Sequence, residues 1–375
     1  MAEEKKEEVK ETKEEQSLGN RCPACKASIS FNAKIGKWKC DYCGSEFTLE
    51  EMQKESDNAS TKEKNVKDTK ITRDNFDGYV NYRCESCGAE IIADEETSAT
   101  FCVYCGNTAI LQSKLSGKFS PDKMIPFKKT KEEAIEAFKN LSKGRPLMPK
   151  GFNNTNNIEK IRGVYIPFWL YDINVSGDLD MNAQTVETWR VGDTHYTKTN
   201  YFKVTRGGTM DFDNVPVDGS THFDNDIMNT IEPFHYDDLI PYNHAYLSGF
   251  YAEKYDEEGD KVFPEASTRT LNSARELLKA DAKLYASKQI VGDTLKANET
   301  HRTYALLPVW MVNVKYNGKM HIFAMNGQTG EFIGNIPLDK GKTLLYTIVL
   351  FAILLVAAIA VSYAVFNLGL KIGGN

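Results

Sequence analysis

All eight cysteines of the chain fall into two quartets of identical spacing, Cys22-Pro-Ala-Cys25 with Cys40-Asp-Tyr-Cys43, and Cys84-Glu-Ser-Cys87 with Cys102-Val-Tyr-Cys105. In each quartet 14 residues separate the two pairs. A two-residue spacer lets the chain turn as a knuckle, so that both sulfurs of a pair face one point and two pairs surround a tetrahedral ion. The spacing therefore predicts two four-cysteine zinc ribbons, with structural disulfides as the alternative. Segments of about 30 residues cannot build a sufficient core alone, so bound metal should supply much of their stability. Four cysteines per ion leave no coordination position for water, which makes these sites structural and not catalytic.

The quartets also match outside their ligands. At an offset of 62 the pairs Arg21/Arg83, Ala27/Ala89, Ile29/Ile91 and Tyr42/Tyr104 coincide, an internal duplication. Gly44, Gly88 and Gly106 each follow a second cysteine, where a tight turn often needs positive φ.

At the other end, residues 343–370 form a run of 28 without Asp, Glu, Lys, Arg or His. As a helix this would reach roughly 42 Å, against a bilayer hydrocarbon core of about 30 Å. A buried core helix is the alternative. Tyr346 and Tyr363 stand near the ends of the most apolar part, and Lys340, Lys342 and Lys371 bracket it, as interfacial residues do. The opening MAEEKKEEVKETKEEQ has no apolar stretch of the kind a signal peptide needs. Zinc thiolates are kept most easily in a reducing cytosol. The expectation is a tail-anchored, single-pass protein of the cell membrane with the bulk of the chain cytoplasmic.

With 375 residues, 41% hydrophobic and 26% charged, the chain exceeds one average domain, and its balance of 52 acidic to 46 basic residues is mildly acidic. The predicted fold class is α+β, in the order acidic solvated tail 1–20, ribbon 21–50, flexible linker 51–77, ribbon 78–113, β-rich domain 114–338, transmembrane helix 343–367 and short tail 368–375. Within the β-rich domain, Thr130-Lys-Glu-Glu133 resembles a capping box before Ala134, Ile135, Phe138 and Leu141, which predicts a short amphipathic helix ending near Gly144. Runs rich in Val, Ile, Tyr, Phe, Trp and Thr from Gly163 onward predict a mostly antiparallel sheet, broken at Gly-Gly, Asp-Gly and Pro. A second helix is expected over 267–290. Pro167-Phe-Trp169 through Gly177 aligns without gaps to Pro308-Val-Trp310 through Gly318, predicting two similar helix-then-sheet subunits packed together, with repeats near 161–183 and 302–324. The segment from Phe323 through Gly327 and Gly330 predicts a hairpin.

Signals for catalysis are sparse. The six histidines are scattered, and no His-Glu-x-x-His, Gly-x-Ser-x-Gly or phosphate-cradling loop occurs. The densest polar group, His222, Asp224, Asp226, Glu232, His235, Asp237, Asp238 and His244, reads as a polar loop; a metal-dependent hydrolase centred on it is the alternative. Charge bears on nucleic acid. Residues 21–50 hold five Lys/Arg and three Asp/Glu, whereas residues 83–110 hold one and five, so the second ribbon would repel phosphates. A membrane-tethered nucleic-acid regulator would have to use Lys34, Lys37, Lys39 and Trp38 of the first.

Two CxxC pairs per ribbon, Ile166-Pro-Phe-Trp169, Tyr246-Leu-Ser-Gly-Phe-Tyr-Ala-Glu253 and Leu307-Pro-Val-Trp310 together resemble a bacterial family of TFIIB-type zinc-ribbon-containing membrane proteins, over most of residues 21–337. The resemblance implies a non-enzymatic scaffold with two structural Zn2+ ions. It also implies recruitment of a protein partner to the membrane, an SPFH-domain (flotillin-like) protein or an envelope-stress protein.

Overall fold

The computed structural model describes residues 21–54, 79–83, 90–94, 97–101, 108–110, 119–141, 143–149, 152, 161–223, 225–316, 319–334 and 336–372. Strands β1 (Ser30–Asn32), β2 (Lys37–Lys39) and β3 (Glu46–Phe47) form a small antiparallel sheet in that order. β4 (Tyr79–Arg83) and β5 (Glu90–Asp94) pair antiparallel with each other. The remaining strands are β6 (Thr97–Phe101), β7 (Thr108–Ile110), β8 (Lys123–Met124), β9 (Arg162–Val191), β10 (Thr194–Asp218), β11 (Ile240–Pro241), β12 (Tyr251–Glu253), β13 (Ser287–Asp293), β14 (Lys296–Tyr316), β15 (Lys319–Asn326) and β16 (Phe332–Gly334). They join in one sheet whose spine runs β11-β8-β14-β9-β12-β6-β7. Among the described residues, only the β8/β14 and β9/β12 pairings are parallel. Helices are α1 (Lys131–Asn140), α2 (Asn225–Thr230), α3 (Gly259–Asp281) and α4 (Lys340–Ile372). The architecture is thus mixed α and β with a mostly antiparallel sheet.

The first half of β9 explains the apolar run around Pro167-Phe-Trp. Side chains alternate across a sheet, and here both faces are covered. Ile166, Phe168 and Leu170 pack with Ile227, Met228, Ile231 and Phe234 of α2 and the loop after it. On the other face, Tyr165 packs with Phe127, Phe138 of α1 and the β1–β3 unit, and Tyr171, Ile173 and Val175 pack under Val262, Ala266 and Ala274 of α3. α1 carries the expected capping box: Thr130 accepts from the Glu133 backbone N–H, and Glu133 from that of Thr130.

Two expectations are corrected. The strands do not break at Gly207-Gly208; β10 runs through them, with Gly208 opposite Gly177 of β9. Glycine is needed at Gly177, where φ is +139° and an added Cβ would lie 2.7 Å from the Thr294 carbonyl oxygen. The helix expected over 267–290 begins earlier, at Gly259, continues through Pro264 and stops at Asp281. Residues 287–293 leave it because they pair with β9, the Ala286 N–H already donating to the Gln184 carbonyl.

β14 and β9 lie antiparallel with Leu306 opposite Pro167 and Pro308 opposite Tyr165, so the two Pro-x-Trp segments face each other across an approximate twofold axis. The matching residues make matching bonds. Pro167 O accepts from Gly219 N at 2.9 Å, and Pro308 O from Gly327 N at 2.8 Å. Gly219 O accepts from the N–H groups of Asp256 and Glu257, just before α3; Gly327 O accepts from those of Lys128 and Lys129, just before α1. The Trp169 indole N–H donates to Glu257 O and that of Trp310 to Lys129 O, both at 2.9 Å. Each half therefore clamps the lead-in of the other half's helix.

Candidate metal centre and its seat

The first quartet forms two equivalent knuckles. Lys26 N donates to Cys22 O and Gly44 N to Cys40 O, each at 2.8 Å, and Lys26 and Gly44 have φ of +61° and +74°. Gly44 suits that conformation, while Lys26 adopts it with a Cβ. Folding of the two turns brings the sulfurs together: Cys22 to Cys43 and Cys25 to Cys40 are 3.6 Å apart, and all four Sγ atoms lie within 4.8 Å of one another. Tetrahedral zinc at about 2.3 Å from each sulfur would space them by about 3.8 Å, so the donor set fits that ion.

The electrostatics point the same way. Hydrogen bonds from the Ser45 hydroxyl and then its backbone N–H pull the Cys43 thiol down to about 6. Cys25, although the Ala27 N–H favours its thiolate, is pushed up to about 12 by burial and by the neighbouring sulfurs. Four thiols this close cannot all ionise unaided, and a divalent cation is what would hold them together as thiolates.

The four-cysteine unit is seated on the body by its aromatic residues. Trp38 is 1% exposed, and its indole N–H donates to Ala245 O at 2.9 Å. Phe31 N donates to Ser248 O at 3.0 Å. The rings of Phe31, Trp38 and Tyr246 form a triangle with centroids 4.9–5.0 Å apart. Gly249 allows the close approach, since an added Cβ there would meet Ser30 Cβ at 2.9 Å. The chain then enters β12, which pairs with β9 on one side and with β6, between the second quartet's two pairs, on the other. Residues 246–253, marked in the sequence only as part of a resemblance, are thus where both cysteine-bearing regions meet the body. Their aromatic residues flanking Ser248-Gly249 were the available signal.

The second quartet, Cys84, Cys87, Cys102 and Cys105, lies outside the described residues, as do the tail 1–20, most of the linker and Gly318. Trp38, named for a nucleic-acid reading, is corrected: it is buried and its N–H is engaged, so it offers no face to a base. Lys34 and Lys37 are exposed and Lys39 is half-buried.

The polar group of residues 222–244 is dispersed. His222 faces Glu253, Glu232 pairs with Arg269 at 2.7 Å, and the His235 N–H donates to Gln328. Asp238 pairs with Lys128, Asp226 stands in the first turn of α2, Asp237 is exposed, and Asp224 lies outside the described residues. Burial depresses the pKa of His244. Among the described residues, only the cysteine quartet brings three or more Cys, His, Asp or Glu ligand atoms within reach of one ion.

Beyond the sheet, Asp339 caps α4, accepting at its side chain from Lys342 N and at its carbonyl from Thr343 N. Residues Lys340–Val365 are long and apolar enough to cross a membrane, the most apolar 18 residues having mean hydropathy 3.0 and none of them buried. The helix continues to Ile372, past the expected boundary at 367.

The chain is 34% identical over 325 residues to the uncharacterized protein YdjG of Bacillus subtilis (strain 168), an alignment covering 87% of this chain and 92% of that one. No family model and no solved structure matches the chain.

Proposed function

The chain belongs to the family of Bacillus subtilis YdjG, and on that footing we propose that it is a membrane-anchored scaffold that recruits a protein partner to the cytoplasmic face of the membrane. In this reading two zinc ions, one per quartet, hold TFIIB-type ribbons rigid, α4 fixes the location, and the partner is an SPFH-domain (flotillin-like) or envelope-stress protein. The observation that carries the proposal is the asymmetry of the first ribbon. One side, with Phe31 and Trp38, is committed to the body, while the Cys43 knuckle faces outward with Tyr42 84% exposed. An exposed aromatic held on a rigid turn is the kind of group that anchors protein contacts.

The test is co-purification of an SPFH-domain protein co-expressed with the full-length chain, compared with Tyr42→Ala, Cys22→Ser and Cys84→Ser variants. Capture that is lost in the cysteine variants, with membrane insertion retained, is the expected result. Capture that survives complete loss of zinc would defeat the ribbons' role. Nuclease-sensitive capture would favour the nucleic-acid alternative instead.

A further inference from the structure

Near the start of α4 the fold gathers positive charge that is remote in sequence. Asp339 N donates to Leu147 O at 2.9 Å, and Lys342 Nζ donates to Met148 O at 2.6 Å. The segment following α1 is thereby fastened to the first turn of the apolar helix. It is also held internally: Lys143 N donates to Asn140 O, Met148 N to Arg145 O, and Gly144 turns the chain at φ +73°. Met148 and Pro149 are buried, while Lys143 and Arg145 are exposed, as is Lys340 on the helix itself. From residue 139 to residue 150 the sequence has four basic residues and no acidic one. Asp339, the acid at this junction, is engaged in capping the helix. Beside Lys340, a shallow concavity of about 400 Å³ is lined by Leu338, Thr343, Leu344 and Thr347, and Leu338 is 62% exposed.

We infer that residues 143–149, with Lys340 and Lys342, form a binding surface for the headgroups of anionic phospholipids. The inference rests on the membrane reading of α4. If the span begins near Thr343, the fastened loop sits in the headgroup layer, which is roughly 6 Å deep on each side of the hydrocarbon core. Cations there meet phosphate groups directly, and each is expected to strengthen association with an anionic bilayer by about fivefold. The choice of lipid over a soluble polyanion follows from continuity with the span: α4 places this surface at the bilayer, and Leu338 and Leu344 offer apolar contact that an acyl chain satisfies and a nucleic acid does not.

The test uses the full-length protein reconstituted into nanodiscs of phosphatidylcholine alone or of an equal mixture with phosphatidylglycerol. Lipids retained after detergent extraction are counted by native mass spectrometry, and amide exchange is followed over residues 143–149. The expected result is preferential retention of phosphatidylglycerol, with slower exchange of the loop in the mixed discs. In the triple variant Lys143→Gln, Arg145→Gln, Lys340→Gln the preference should fall by about a hundredfold, at about fivefold per cation. Insertion is scored separately by resistance to alkaline extraction. Normal insertion with no lipid preference, or a preference unchanged in the triple variant, would overturn the inference alone. Failure to insert would overturn it together with the membrane reading. Tighter binding of heparin than of phosphatidylglycerol, abolished by the same substitutions, would show a soluble polyanion to be the ligand and would also overturn it.

Discussion

The two halves of the central sheet share one backbone frame yet finish it with different side chains. Asp218, opposite Phe168, and Asn326, opposite Val309, each precede a clamp glycine. Asn326 is fully buried and fully bonded: its amide donates to Ile231 O and Pro233 O, and its oxygen accepts from Gln328 N and Thr329 N. Asp218 is 2% exposed, and among the described residues neither carboxyl oxygen has a hydrogen-bond partner. Burial, reinforced by Glu265, Glu257 and Asp256, pushes its pKa up to about 7. The frame thus tolerates two chemistries at one position, an amide wired into a loop and an acid that fits best when neutral, because the clamp itself is made by backbone and indole groups.

Substitutions can break this correspondence in graded steps. Trp310→Ala should cost about 3–5 kcal/mol in chemical denaturation of the detergent-solubilised protein, as for other buried aromatics. Trp169→Ala should cost less, because Trp169 is only half-buried. Equal losses would mean that the indole bonds, and not burial, dominate. Next, Asn326→Asp places a carboxylate against two carbonyl oxygens and removes two donors, an expected loss of about 2–3 kcal/mol at pH 8.

Among the clamp glycines, Gly327→Ala should be the worse. Its Cβ would lie 2.7 Å from the Phe127 ring and 2.8 Å from Pro308 O, whereas that of Gly219 has 3.1 Å to Trp169 and Tyr255. A cost of about 1–3 kcal/mol is expected at Gly327 and a smaller one at Gly219, read from the same denaturation curves.

The pH dependence at Asp218 is the most diagnostic of the difference. Asp218 has a folded pKa raised above its unfolded value of 3.8, so the folded state holds the proton more tightly. Its contribution to stability is fully present below pH 4, declines as pH rises toward about 7, and is lost above that. Asp218→Asn removes this dependence. The stability difference between variant and parent should move in the variant's favour between pH 4 and 7, by up to about 4 kcal/mol across the window, and level off above it. A difference profile flat across that window would mean that Asp218 is ionised and partnered.

What the sequence revealed divides along the same physical line. The knuckles, the capping box of α1 and the matched Pro-x-Trp segments were legible because each depends on residues a few positions apart. The β13 strand was not: its pairing partner in β9 is about a hundred residues away, and its local pattern continues an apolar helix face. Nor was the burial of Trp38, whose acceptor is Ala245, or the basic loop at the start of α4, which Leu147 and Met148 bring there from nearly two hundred residues upstream. A tryptophan between lysines reads as a surface residue until its seat is known.

The most direct measurement is zinc stoichiometry of the full-length protein in nanodiscs, combined with amide exchange at Phe31 and residues 246–250 before and after chelation. The expected result is two zinc ions per chain, with chelation releasing the ribbon and accelerating exchange at the seat while the paired cores of β9 and β14 stay protected. Cysteines that bind no metal, or a seat whose exchange is indifferent to its removal, would contradict a scaffold whose recognition modules are held in place by zinc.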